Sequence, residues 1–188
     1  MGASESFEAS FRSLILRMPY EKITVAEICR TAHLSRKTFY ANFADKEAVV
    51  ARIFVKGAIE PMRAMNNLLT YEQARSISSM YTENLYNYFA NDAEYYKKLV
   101  GPMFGKDDTF IRVVTSELFA FNQEILSSIS AAEDVEKEYI AYFFASSQAM
   151  YSQKWIADGM PVSPKKLAEI YNLIIGDSWF TIESAGRR

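Results

Sequence analysis

A short stretch between residues 35 and 46 is crowded with side chains that can donate hydrogen bonds. They are Ser35, Arg36, Lys37, Thr38, Tyr40, Asn42 and Lys46. Arginine and lysine pair with phosphate oxygens and guanine edges, and hydroxyl and amide groups bond to phosphates or bases. From residue 30 to residue 46 the chain has four cations and one acid, although its formal net charge is −2. A solvated helix face would have the same charge, but the mixture of donors favours contact with DNA.

The hydrophobic pattern predicts the helices that must carry these side chains. A first helix over residues 4–18 has apolar residues at helical spacing and is stopped by Pro19. A second helix begins at Thr24, which forms a capping box with Glu27, and ends near Ala32. Both helices are short and amphipathic, so each needs a partner to cover its apolar face.

A third helix is predicted from Ser35, a favourable N-cap residue. Phe39 and Phe43 are four residues apart and therefore share a face that can be buried. Only His33 and Leu34 separate the second and third helices. Two capped helices joined by so tight a turn form a helix-turn-helix, whose second helix would present its polar face outward.

The segment Ile23–Lys46, ITVAEICRTAHLSRKTFYANFADK, resembles the TetR family of transcriptional regulators. The matching positions are Thr24, Ile28, Ser35, Thr38, Phe39, Tyr40, Asn42, Phe43, Lys46 and Glu47. The resemblance implies a homodimer that reads a palindromic operator in double-stranded DNA, with the third helix in the major groove. The family usually has glycine where this chain has His33, and histidine tolerates the left-handed conformation better than most residues.

The resemblance also implies roles for individual side chains of the motif. Thr24, Tyr40 and Lys46 would hold phosphates. Arg36, Lys37 and Thr38 would face bases, and Asn42 could do either. Ser35 completes the predicted set of DNA-binding residues.

The rest of the chain also has a helical pattern. A linking helix is expected from residue 46 to about residue 69, kinked or split by Pro61, and further helices at 72–90, 93–99, 109–129, 131–158 and 164–182. We therefore predict an all-α protein of about nine helices. Residues 1–50 would form the DNA-binding domain, with its motif at 24–43, and residues 51–188 a helical effector-binding and dimerisation domain.

Two further sites are expected in the body by analogy with the family. The resemblance implies a dimer interface on the last two helices, at Tyr139, Phe143, Met150, Leu167, Ile170, Tyr171 and Ile174. A cavity for a small amphipathic organic effector is expected near Tyr81, Tyr88, Phe104, Phe119 and Tyr142. The alternative for both sets is ordinary packing within one chain. The stretch from Glu138 to Tyr171 is also similar to a TetR subgroup that includes dihydroxyacetone-kinase-operon regulators.

Composition and motifs exclude other classes of function. The chain has one cysteine and one histidine, no glycine-rich phosphate loop and no HExxH motif, so we expect no enzyme activity, cofactor or metal site. No apolar run reaches membrane-spanning length, and the start of the chain is unlike a signal peptide, which predicts a cytoplasmic protein without membrane contact. We predict a ligand-responsive repressor; the alternative is a transcriptional co-regulator or interaction protein controlled by a protein partner.

Overall fold

The computed structural model describes residues 2–68, 78–101, 107–129 and 133–175, and within these ranges the chain is all helical. The N-terminal part contains α1 (Ala3–Ile15), a 3-10 turn (Tyr20–Lys22), α2 (Val25–Ala32) and α3 (Arg36–Tyr40). The linking helix α4 runs without a break through Lys46–Phe54, the π-helical turn Val55–Ile59 and Glu60–Asn67. The remaining helices are α5 (Ser78–Asn91), α6 (Ala93–Val100), α7 (Thr109–Ile129), α8 (Asp134–Ala157) and α9 (Pro164–Ile175). The predicted fold class and helix number are confirmed for these ranges.

Helix α1 ends earlier than the sequence pattern predicts. It was expected to reach Met18, but its last helical residue is Ile15. The amides of Arg17 and Met18 both bond to the carbonyl of Leu14, which turns the chain out of the helix. Because Met18 precedes Pro19, the helical backbone is disfavoured there, and the last turn unwinds.

Three phenylalanine rings form the centre of the N-terminal core. The ring of Phe7 on α1 meets Phe39 on α3 edge-on at 5.1 Å and Phe43 at 6.2 Å, measured between ring centroids. Phe39 and Phe43 lie 5.7 Å apart, and Phe7 and Phe39 are fully buried. These contacts fix α3 against α1 and turn its polar face to the solvent.

The irregularity in α4 lies just before Pro61 rather than at the proline itself. Proline has no amide hydrogen, so the carbonyl of Gly57 loses its usual helical partner, and the π-helical turn covers Val55–Ile59. Gly57 also lies against the ring of Tyr88 on α5. A Cβ atom at Gly57 would lie 2.4 Å from Cε2 of Tyr88. The turn and the glycine together let α5 approach the linking helix closely.

The body is a layered helical bundle with an aromatic core. Helices α7 and α8 make the most extensive contact in the chain and run antiparallel across a short connection, while α9 packs on α5. Phe89 stacks on Phe54 of α4 at 5.9 Å and meets Tyr96 edge-on at 4.8 Å. The core therefore continues from the linking helix into the body without a gap.

Helix boundaries in the body follow the local signals in the sequence. Gly159, with φ 86°, follows α8, and the side chain of Ser163 accepts a hydrogen bond from the amide of Lys166 at the start of α9. Residues 72–77 of one predicted helix, residues 176–182 of another and residues 131–132 of a third lie outside the described residues. No helix in the described part of the chain is long and apolar enough to span a membrane.

Candidate nucleic-acid interface

The turn between α2 and α3 is built on a left-handed residue. His33 has φ 55° and ψ 35°, as predicted for the position where glycine is usual in the resembling family. The amide of Leu34 donates to the carbonyl of Cys29, and that of His33 to Arg30. This pair of bonds is the Schellman arrangement that ends a helix and redirects the chain. A histidine thus performs the turn that places α3.

Side-chain caps at the starts of α2 and α3 hold the backbone of the motif. The hydroxyl of Thr24 accepts from the amide of Glu27 at 3.2 Å, and the carboxylate of Glu27 accepts from the amide of Thr24 at 2.9 Å. The hydroxyl of Ser35 accepts from the amide of Thr38 at 3.0 Å. The predicted capping box and N-cap are confirmed, and they satisfy backbone amides at the starts of α2 and α3.

The solvent-facing side of α3 carries most of the predicted DNA-binding side chains. Arg36, Lys37 and Tyr40 are exposed, and 60% of the Tyr40 surface is accessible. The Tyr40 ring is supported edge-on by Phe39 at 5.5 Å. Asn42 is exposed, but its amide nitrogen donates to the carbonyl of Thr38 at 2.8 Å. The helix therefore presents two cations and a phenol on one accessible surface.

Lys46 differs from the exposed cations Arg36 and Lys37 because it is partly buried and is bonded to the backbone of another segment. Its ammonium group donates to the carbonyl of Tyr20 at 2.8 Å and lies 3.8 Å from the centre of the Tyr20 ring. Partial burial lowers the pKa of Lys46, and nearby carboxylates such as Asp107 oppose this shift. An ammonium group has three donors, so two remain for a phosphate.

The start of the linking helix is clamped to the body. Asp45 caps α4, and the next acid, Glu47, receives two hydrogen bonds from the guanidinium of Arg112 on α7, at 2.6 and 3.3 Å. Arg112 also pairs with Asp108. This bidentate contact fixes the N-terminus of α4, and with it the base of the motif, to the start of α7.

A second junction joins α1 to the body. Arg12 forms an ion pair with Asp92, between α5 and α6, and its guanidinium carbon lies 4.7 Å from the centre of the Tyr95 ring. Lys56 on α4 lies 3.7 Å from a carboxylate oxygen of Glu5 on α1. Sequence reasoning missed these junctions because no local pattern marks them.

Within the part of the chain that the structure describes, the residues predicted for an effector lie in two places. Tyr88 lines a groove between α4 and α5, whereas Tyr81 lies nearby with its hydroxyl 3.4 Å from Asn66. The rings of Phe119 and Tyr142 contact each other at 6.1 Å on α7 and α8. Phe104 lies outside the described residues. The predicted set is therefore divided between two places.

The residues predicted for dimerisation are also divided. Tyr139, Phe143, Met150 and Ile174 have between 51% and 73% of their surface exposed, and Ile170 is partly exposed. In contrast, Leu167 and Tyr171 are buried within the chain's own core. The hydroxyl of Tyr171 lies 2.9 Å from that of Ser147 on α8, because this side of α9 faces inward. These two residues are core positions within one chain, and their part in a dimer interface stays a prediction.

Comparisons with known proteins agree with this geometry. The model of bacterial regulatory proteins of the TetR family matches residues 12–53, and a model of a transcriptional regulator C-terminal region matches residues 78–177. The dihydroxyacetone kinase operon activator DhaS is similar in structure, with 21% identity and a TM-score of 0.55 over 93% of this chain and 95% of that one. A protein from Syntrophomonas wolfei described as a TetR-family transcriptional regulator has 14% identity and a TM-score of 0.64 over the same shares. No curated protein matches the chain.

Proposed function

Because this chain belongs to the TetR family of bacterial transcriptional regulators, we propose that it is a ligand-responsive repressor acting as a homodimer on a palindromic operator. The observation that carries the proposal is the exposed polar face of α3, held outward by buried phenylalanines. Residues 1–50 would act as the DNA-binding unit and residues 51–188 as the effector-binding and dimerisation unit. The protein would work in the cytoplasm, by binding rather than by catalysis.

The roles of individual side chains in this proposal follow from their exposure. Arg36 and Lys37 are free to reach base edges in the major groove, and the supported phenol of Tyr40 is placed for a phosphate oxygen. Thr24, Ser35, Thr38 and Asn42 are committed to local hydrogen bonds, so their contacts with DNA would be additional to these bonds. Lys46 would offer its remaining donors to a phosphate beside the N-terminus of α4.

The proposed dimer uses the apolar face that the chain leaves uncovered on its last two helices. Tyr139, Phe143 and Met150 follow one another at helical spacing on α8, and Leu173 and Ile174 are exposed on α9. Large exposed apolar side chains of this kind are typical of an interface. Two copies of α8 and α9 related by a twofold axis would form a four-helix bundle.

Repression is the sign of regulation that this arrangement achieves most simply. A dimer seated on a promoter excludes other proteins by occupancy alone and needs no activating contact. An effector that prefers a body conformation with wrongly spaced heads would lower operator affinity by shifting populations. Both recognition helices must match half-sites about one helical turn apart, or a multiple of it.

The direct experiment is a gel-shift titration on the promoter region beside the protein's own gene, at several salt concentrations. If Arg36 contacts a base, Arg36→Ala should weaken operator binding by about 1–3 kcal/mol and reduce discrimination between DNA sequences. If Arg36 contacts a phosphate, the same change should weaken binding to all sequences equally and make the affinity less dependent on salt concentration. Lys98→Ala, which removes an exposed cation from α6, is the matched control and should bind normally. Failure of the wild-type protein to select any sequence at low salt would refute the proposal.

The oligomeric state and the direction of regulation, repression or activation, are tested separately. Tyr139→Glu together with Phe143→Glu should give a folded monomer in sedimentation and abolish footprinting of a full operator. A promoter–reporter fusion should be more active without the protein than with it, and lower activity without the protein would overturn the repressor assignment.

A further inference from the structure

A groove lies between the linking helix and the first helix of the body. Its volume is about 290 Å3, and its walls come from α4 and α5, so it is at the small end of the usual range for ligand pockets. The lining residues are Gly57, Ala58, Pro61, Met62, Met65, Asn84, Leu85, Asn87, Tyr88 and Asn91. It differs from the predicted effector set, with which it shares only Tyr88.

The two walls have different chemistry. The α4 wall is apolar, and Met62 and Met65 give it flexible thioether side chains that adapt to irregular shapes. The α5 wall presents Asn84, Asn87 and Asn91, whose spacing places three amide groups along one helix face. Each amide offers donors and an acceptor, so this wall can bond to hydroxyl, amide or carbonyl groups along one edge of a ligand.

None of the described residues that line the groove is charged. An ionised ligand would lose part of its hydration on entering, and no lining side chain would replace it with an opposite charge. Arg12, which acts on the hydroxyl of Tyr88, is already paired with Asp92. A neutral molecule with a polar edge and an apolar edge would satisfy both walls. The lining therefore discriminates by charge as well as by shape.

The groove also adjoins the π-helical turn of the linking helix. The hydroxyl of Tyr88 donates to the carbonyl of Ile53 at 3.2 Å and accepts from the hydroxyl of Tyr96 at 2.6 Å. Ile53 immediately precedes the last α-helical residue before the π-helical turn, and Gly57 lies within that turn. A molecule seated against Tyr88 and Gly57 would press on the point where α4 changes its winding.

We propose that this groove binds small uncharged amphipathic molecules, and that occupancy changes operator affinity by acting on the Tyr88–Ile53 contact. The first part of the proposal, ligand binding, depends only on the residues that line the groove. The regulatory half rests on the proposed function, because it requires the motif carried by α4 to bind DNA. The two halves are therefore tested by different measurements.

Binding is tested by NMR of the full chain with carbon-13 methyl-labelled methionine. The probes are octanamide, octanoate and octylamine, which share a chain length and differ in the charge of the head group. Octanamide should shift the methyl signals of Met62 and Met65 saturably, and the two charged probes should bind at least about tenfold more weakly. Asn87→Leu should weaken octanamide binding about tenfold, whereas Asn67→Leu, on exposed α4 surface outside the lining, should not.

Several outcomes would overturn the proposal. The site fails if octanamide gives no saturable shift, if the charged probes bind equally well, or if the shifted methyls belong to methionines elsewhere. The regulatory half fails if octanamide binds but leaves the gel-shift affinity of the wild-type protein unchanged. Absence of operator binding without any probe would instead refute the proposed function and leave the binding result standing.

Discussion

Replacing Gly57 by alanine tests the contact between the linking helix and α5. The new Cβ would lie 2.4 Å from Cε2, 2.9 Å from Cζ and 2.8 Å from the hydroxyl of Tyr88, far inside van der Waals contact. The ring is not free to move away, because Phe54, Phe89 and Tyr96 surround it with ring centroids 5.9, 5.6 and 5.5 Å distant. Relief of the clash therefore requires the ring to leave its packed position and its two hydrogen bonds.

The expected magnitude follows from three contributions. Alanine gains about 1 kcal/mol over glycine from helix propensity. Overpacking costs about 1–3 kcal/mol, and leaving buried hydrogen-bonding groups without partners costs about 1–3 kcal/mol. The net effect of Gly57→Ala should be a loss of about 1–5 kcal/mol in the free energy of unfolding. Urea denaturation at one fixed protein concentration measures it, since a dimer's stability depends on concentration.

A double mutant makes the test specific. In a Tyr88→Ala background the obstacle is gone, so Gly57→Ala should become stabilising by up to about 1 kcal/mol, the helix propensity alone. The stability change caused by Gly57→Ala would thus have opposite signs with and without the Tyr88 ring. If Gly57→Ala were neutral or stabilising in the wild-type chain, the described approach of α5 to α4 would be refuted.

Three more changes probe the positioning of the motif. Phe39→Ala should lower the free energy of unfolding by about 3–5 kcal/mol because it empties a fully buried position in the N-terminal core. Operator binding should fall in Phe39→Ala and be mostly kept in Phe39→Leu. Equal binding by both variants would contradict the role of the phenylalanine cluster. A double-mutant cycle on Arg112 and Glu47 should give a coupling free energy of up to about 1 kcal/mol that decreases with added salt, because both side chains are partly exposed. A coupling of zero at low salt would show that this contact does not stabilise the start of α4. Burial raises the pKa of Tyr20 to about 12 in the folded state, so its contribution to stability is complete below its ordinary pKa near 10 and is lost as pH rises from about 10 to 12. Alkaline denaturation curves should therefore be shallower for Tyr20→Phe than for the wild type, and identical curves would rule out this contribution.

The features that the sequence predicts correctly are those that adjacent residues decide. The capping box at Thr24 and the cap at Ser35 each involve residues three apart, and the left-handed conformation at His33 is the one that the resemblance implies. Each depends on a chemical preference that acts within one turn of helix. Local preferences therefore predict the backbone of the helix-turn-helix, while the DNA contacts of α3 stay a prediction.

Features that join distant parts of the chain could not be predicted in this way. Arg12 and Asp92 pair across 80 residues, and their contact exists only because α1 packs beside the junction of α5 and α6. Periodicity likewise identifies apolar positions on α9 but does not say which of them face the same chain. Tyr171 faces inward and Ile174 outward because α5 occupies one side of the helix.

The π-helical turn in α4 sets a rotational phase between the two ends of that helix. One extra residue in a helix of 3.6 residues per turn rotates everything beyond it by about 100°. The buried residues Val50, Phe54, Ala58 and Met62 keep a four-residue spacing through the turn, which an ideal helix would spread over about 120° of its circumference. Chimeras that exchange recognition heads between such regulators must therefore be joined outside residues 55–59, or the new head will point away from its half-site.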